Sequence, residues 1–314
     1  MTRTSSWRWA TAFLPFLAIA ASAAATTGQQ ARQYVSAQAT QGSIAFGGGA
    51  IHRRYPDGRI SQLTTGKSDR FPSWSWDGTQ IAFERESFPD TSHCPLFVVN
   101  SDGSGLRQVG QVQTDCSGAS WAPDDARLVF GETGLHGLNG AGLSIVGADG
   151  GGVRRVFEGS GRNFEGAHPA WSPDGRTIVF GWTAGPRVGL LAIHPDGTGV
   201  QTLIKPRARH HFDVFSFPAW SRDGRRLAFI HVDLGKARSL EVANARGRHR
   251  AVLARLPFNP GEQGTPSWSP RGVFLAFWGI SGHGGGTWTI RSRGGRRQLL
   301  VRNYVEPSWG PAGT

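Results

Sequence analysis

Six histidines and four acids in this 314-residue chain have the types needed for a reactive centre: His93, His136, His168, His210, His211 and His283, with Glu165, Asp213, Glu262 and Glu306. Imidazole and carboxylate together ligate zinc or manganese, and the same groups pass protons in acid–base chemistry. His168 and Glu306 each stand directly before a proline that opens a repeated segment, and His210, His211 and Asp213 follow within the next connection. Their spacing matches no metal motif. The expectation is therefore a polar binding rim made by His168, His210, His211, Asp213, Glu262 and Glu306, with no catalytic residue, metal ligand or cofactor assigned.

Other catalytic signatures are missing from the sequence. It has no G-x-S-x-G elbow, no H-E-x-x-H helix and no G-x-x-x-x-G-K phosphate loop. Glycine runs such as Gly47-Gly48-Gly49 and Gly284-Gly285-Gly286 read as connections between strands.

The elements that position these residues are written as a repeat. Tryptophan followed by a polar turn and an apolar strand recurs at Trp74, Trp121, Trp171, Trp220, Trp268 and Trp309, at intervals of 47, 50, 49, 48 and 41 residues. A period of about 40 to 50 residues with several short strands per unit predicts a β-propeller. One unit shows the plan. Ala170-Trp171 forms an inner strand, Ser172-Pro173-Asp174-Gly175 a tight turn and Thr177 to Phe180 the second strand. Gly189 to Ile193 follows as the third, Pro195-Asp196-Gly197-Thr198-Gly199 turns again, and Val200 to Ile204 is the fourth. Proline presets the turn backbone, aspartate bonds to it and glycine accepts a positive φ. Such a sheet cannot bury both faces alone, so the repeated tryptophans are expected to pack between neighbouring blades.

The two ends complete each other. Ile44-Ala45-Phe46 reads as a second strand with no inner strand before it, and Glu306 to Pro311 as an inner strand with nothing after it. The expected fold is all-β: a six-bladed β-propeller of four-stranded antiparallel blades, its ring closed by pairing the C-terminal inner strand with the three N-terminal strands. Closure removes the sheet edges that invite aggregation.

The pattern P-x-W-S-P-D-G-x-x-I-A-F with N-x-D-G-S-G, carried by Pro169 to Phe180 and by Asn100 to Gly105, resembles the TolB-type, WD-like propeller repeat over roughly residues 42 to 311. The likeness stops at the propeller. Only Ala24 to Thr40 separates the leader from the first strand, so the N-terminal α/β domain of TolB is not expected. The resemblance implies a fold, and fold alone does not fix function. A rigid binding or scaffold module for a protein or glycan partner is the expected role. The alternative is an extracytoplasmic metal-dependent lyase or hydrolase with a His-rich centre at the propeller funnel, as in propeller lyases that act on acidic sugars.

In a propeller, Cys94 falls between strands two and three of the second blade and Cys116 in the loop leading to the third, so both emerge on one face. A disulfide is expected, and no C-x-x-C spacing suggests redox catalysis. Charge is strongly positive: 34 Lys and Arg against 22 acids give a formal +12, and a leader carrying Arg3 and Arg8 accounts for two of those. Blades five and six put arginine where other blades write turn acids. Arg225, Arg226, Arg246, Arg248, Arg271 and Arg293 should thus gather on the tight-turn face, as a solvated basic surface or as a site for an anionic polymer. Nucleic acid is not expected, because no aromatic-basic recognition motif is present.

The first 25 residues read as a secretory leader, with Arg3 and Arg8 before the apolar stretch Trp9 to Ala21 and small residues at Ala23-Ala24-Ala25. A linker over 26–41 and one propeller domain over 42–314 follow. The expectation is a periplasmic or secreted monomer with no membrane span.

Overall fold

A computed structural model describes residues 42–86, 94–114, 116–132, 141–159, 167–183, 188–206, 213–233, 237–257, 264–281 and 284–314. The segments expected as leader and linker, residues 1–41, lie outside these residues. Six four-stranded antiparallel sheets follow one another along the chain, and the described residues contain no helix. Blades two to six run over residues 69–114, 119–158, 170–204, 213–256 and 267–302. Blade one joins the two ends of the domain. Its inner strand Val305–Trp309 pairs with Ile44–Gly47, which is followed by His52–Arg54 and Ile60–Gln62. The register sets Ile44 against Trp309 and Ala45 against Ser308, and the Gly310 N–H donates to the Ser43 carbonyl at 2.8 Å. The ring is therefore closed as the repeat predicts.

Each blade forms where it does because its turns satisfy themselves. In blade four the Gly175 N–H donates to the Ser172 carbonyl (3.0 Å), and the Ser172 hydroxyl donates to Asp174 (2.6 Å) while accepting the Thr177 N–H (2.9 Å). Gly175 sits at φ +72°, which a side chain rarely adopts. Ser75 with Asp77 and Ser221 with Asp223 repeat the arrangement. Blade three departs from it. Asp125 takes the glycine position at φ 55°, and its carboxylate reaches into the turn of blade two to accept the Trp76 and Asp77 N–H groups.

Packing runs between blades, as a sheet with two apolar faces requires. Trp121 and Trp171 are 1 % and 2 % exposed, and Trp74, Trp268 and Trp309 are also buried. Their indole N–H groups stitch neighbouring inner strands: Trp121 donates to the Ser73 carbonyl (2.9 Å), Trp268 to Ala219 (2.9 Å) and Trp74 to Ser308 (3.1 Å). In blades two, three and six the tryptophan thus bonds to the inner strand of the blade before it, including across the closure, whereas Trp171 donates to the Gly175 carbonyl of its own turn (3.1 Å).

Candidate functional site

The six inner strands surround the central channel, and one residue per blade stands three positions before the repeated tryptophan: Glu306, Phe71, Gly118, His168, Phe217 and Thr265. Five of them hold positive φ, from 43° at His168 to 89° at Gly118. A non-glycine residue pays about 1–3 kcal/mol for such a backbone, and a following proline favours extended conformations instead. Because the feature recurs in five blades, it belongs to the architecture: the inner strands of blades one, two and five shift register here, and the bulge re-aims the side chain.

What these residues build is a plug. Phe71 of blade two and Phe217 of blade five stack with centroids 6.2 Å apart, and the His168 ring lies 3.6 Å from that of Phe217. His168 is held by donating through Nδ1 to the Ser117 carbonyl (2.7 Å) and through its backbone N–H to the Ser117 hydroxyl (3.1 Å). At the other end Arg222 of blade five donates to the Trp76 carbonyl of blade two (3.0 Å) and covers that indole at 4.8 Å. Blades two and five face each other across a six-membered ring, so both ends of the channel are bridged by the same opposed pair. Between the bridges lies a cavity of about 220 Å³ whose lining includes Ser73, Ser120, Ser267 and Ser308.

The acids expected at the rim have separate fates. Glu306 is buried and accepts the Phe71 N–H (2.8 Å) and the Arg70 Nε–H (2.9 Å), while Arg70 also binds Glu86. Burial pushes the Glu306 carboxyl above the ordinary carboxylate range, and the Arg70 charge opposes that shift without cancelling it. Asp213 lies away from His168 and faces His231, with 3.5 Å between Oδ1 and Nε2. His210, His211 and Glu262 lie outside the described residues, as do His93, His136, His283 and Glu165. Among the described residues no group of three His, Cys, Asp or Glu side chains could hold a metal.

Asp213 opens a polar network that sequence reasoning missed. His231 donates through Nδ1 to Glu241 (2.9 Å), Arg250 binds the other carboxylate oxygen at 2.9 and 3.0 Å, and the imidazole stacks on Phe215 with centroids 4.7 Å apart. Burial alone would raise the Glu241 carboxyl, but His231 and Arg250 outweigh it and hold it at about 2. A glutamate between Leu240 and Val242 in the third strand was the available signal.

On the tight-turn face, Arg225, Arg226, Arg271, Arg291 and Arg293 line one groove of about 730 Å³ between blades five and six, with Asp223, Gly272, Val273 and Ser292. Four of these five arginines were expected in a basic patch and Arg291 was not. Arg246 and Arg248 occupy the adjacent turn outside the groove lining. Cys94 and Cys116 form a disulfide, with Cα atoms 5.2 Å apart.

Comparison with solved structures places this architecture. TolB from Acinetobacter baumannii superposes with a TM-score of 0.70 at 17 % identity, over 87 % of this chain and 67 % of that one. A chain of a nidogen/laminin complex gives 0.61 at 13 % identity, over 85 % and 97 % of the two chains. An oligogalacturonate lyase in complex with manganese gives 0.55 at 16 % identity, over 84 % and 75 %. No protein-family model and no curated protein matches the sequence. The chain has the TolB-type propeller fold, and at these identities the likeness carries the fold alone.

Proposed function

We propose that the protein is an exported, TolB-like β-propeller that serves as a rigid binding module for a protein or glycan partner of the cell envelope. In this reading it works as a monomer, without a cofactor, in the periplasm or outside the cell. The observation that carries the proposal is the double bridge across the channel, Phe71 with Phe217 at one end and Arg222 with Trp76 at the other. A ring closed at its seam and braced across its axis offers partners its two faces as pre-organised surfaces, and pre-organisation lowers the ordering cost of association. The nidogen/laminin complex is an example of this fold within a protein–protein assembly. A disulfide suits an oxidising compartment.

The test is fractionation followed by crosslinking in the producing cells. The mature protein should be released by osmotic shock or recovered from the medium, elute as a monomer, and give a discrete adduct from photo-crosslinkers placed on one face. Binding should then be reconstituted with the purified partner. Near-stoichiometric manganese or zinc that is lost in His168→Ala or His211→Ala, together with cleavage of an acidic oligosaccharide, would replace this reading with the lyase.

A further inference from the structure

We infer that the arginine groove between blades five and six docks an acidic segment of a protein partner through carboxylate–guanidinium pairing. The inference rests on the binding-module reading and names the surface that does the binding. Five guanidinium groups meet one carboxylate in this groove. That carboxylate, Asp223, is turned onto its own hairpin, where it accepts the Ser221 hydroxyl (2.6 Å) and the Arg225 N–H (3.1 Å). Arg271 and Arg293 are exposed and have no hydrogen-bond or ion-pair partner among the described residues. Like charges confined to one groove repel one another, and an anion that threads between them relieves the repulsion.

The turn chemistry explains how the arginines come to be there. In blades two to five the third residue of this turn is an aspartate that bonds to the backbone. In blade six the Ser269 hydroxyl still accepts the Phe274 N–H (3.0 Å), and Gly272 still closes onto the Ser269 carbonyl (2.8 Å). The hairpin therefore stands without its aspartate, and Arg271 is left to project outward.

Arg226 makes the groove wall rigid. It donates to the Ser292 hydroxyl (3.0 Å) and the Gly272 carbonyl (2.8 Å), and lies 4.5 Å above the Trp268 ring. A guanidinium fixed in this way holds its positive charge at the groove wall without further ordering.

Two observations favour an acidic peptide over an acidic glycan. Val273 is 38 % exposed in the groove lining, an aliphatic contact of the kind a peptide side chain would use. Among the described residues, the groove lining holds no aromatic side chain on which a sugar ring would stack. The concave shape also fits a chain better than a flat lipid surface, and a volume of about 730 Å³ falls within the range of ligand-binding clefts.

The experiment measures fluorescence anisotropy of a labelled peptide of alternating glutamate and valine with the full mature protein at low and physiological salt. Arg271→Glu with Arg293→Glu should weaken binding by at least about tenfold. The same two charge reversals at Arg246 and Arg248, just outside the groove, should weaken it by less than about threefold. Equal losses in the two double variants would reduce the effect to diffuse surface charge and overturn the inference. So would a sulfated oligosaccharide, an oligogalacturonate or anionic vesicles that displace the peptide at lower concentration than unlabelled peptide does. If the peptide fails to bind while the envelope crosslink still forms, the groove assignment falls and the binding-module reading stands. If the crosslink is absent as well, both fall.

Discussion

Arginine accounts for most of the positive charge, yet in the folded chain much of it covers aromatic rings. Ten arginines of the described residues lie over rings, including Arg53 between Tyr55 and Trp74, Arg85 on Phe97, Arg127 on Trp171 and Arg250 on Phe215. One energetically significant contact per 70 to 80 residues is the usual frequency, so arginine–ring contacts are dense in these blades. A planar, weakly hydrated guanidinium can lie on a ring and still reach water, which suits the outer edge of an aromatic core. Glu241 shows what one buried charge contributes. Its carboxyl is at about 2 in the folded protein against 4.5 ordinarily, so the folded state favours its ionised form. The stability it supplies is complete above about pH 4.5 and is lost as the pH falls through about 2. Urea midpoints measured between these limits should decline less steeply for Glu241→Gln than for the parent, and parallel slopes would contradict the account.

At the scale of the element, the turns and the disulfide bear the argument. Cys94 opens the third strand of blade two and Cys116 follows its fourth, so the bond pins the outer hairpin of that blade at its open end. Cross-linking residues 22 positions apart restricts the unfolded chain by about 3 kcal/mol. Cys94→Ser should lose about that much stability and abolish the mobility difference between reduced and non-reduced protein, and two reactive thiols in the native parent would refute the pairing. Both the hairpin turns and the cysteine positions were legible in the sequence, because a four-residue turn satisfies its own hydrogen bonds and the repeat fixes which loops share a face. Asp125 was not. It looks like one more turn acid, and only the neighbouring blade reveals that it accepts the Trp76 and Asp77 N–H groups.

For the whole molecule, closure decides cooperativity. Deleting Asn303 to Thr314 removes the inner strand of blade one, the Trp74-to-Ser308 hydrogen bond and the buried acceptor of Arg70 and Phe71. The ring then has an unpaired edge and Arg70 keeps only Glu86 as its acidic partner, and calorimetry should record a lower, broader transition. An unchanged melting curve would contradict a ring held at its seam. The sequence determined the blade and the number of blades, because strand alternation, turn chemistry and the tryptophan period are encoded within about fifty residues of one another, and the seam, because each end carries the part of a blade that the other lacks. Tertiary structure alone decided that the channel is bridged at both ends, that Asp213 meets His231, and that Arg291 joins four of the expected arginines in one groove. Phe71 with Phe217, and Trp76 with Arg222, stand 146 positions apart, and the fold brings them together only because six blades close a circle that sets the second opposite the fifth.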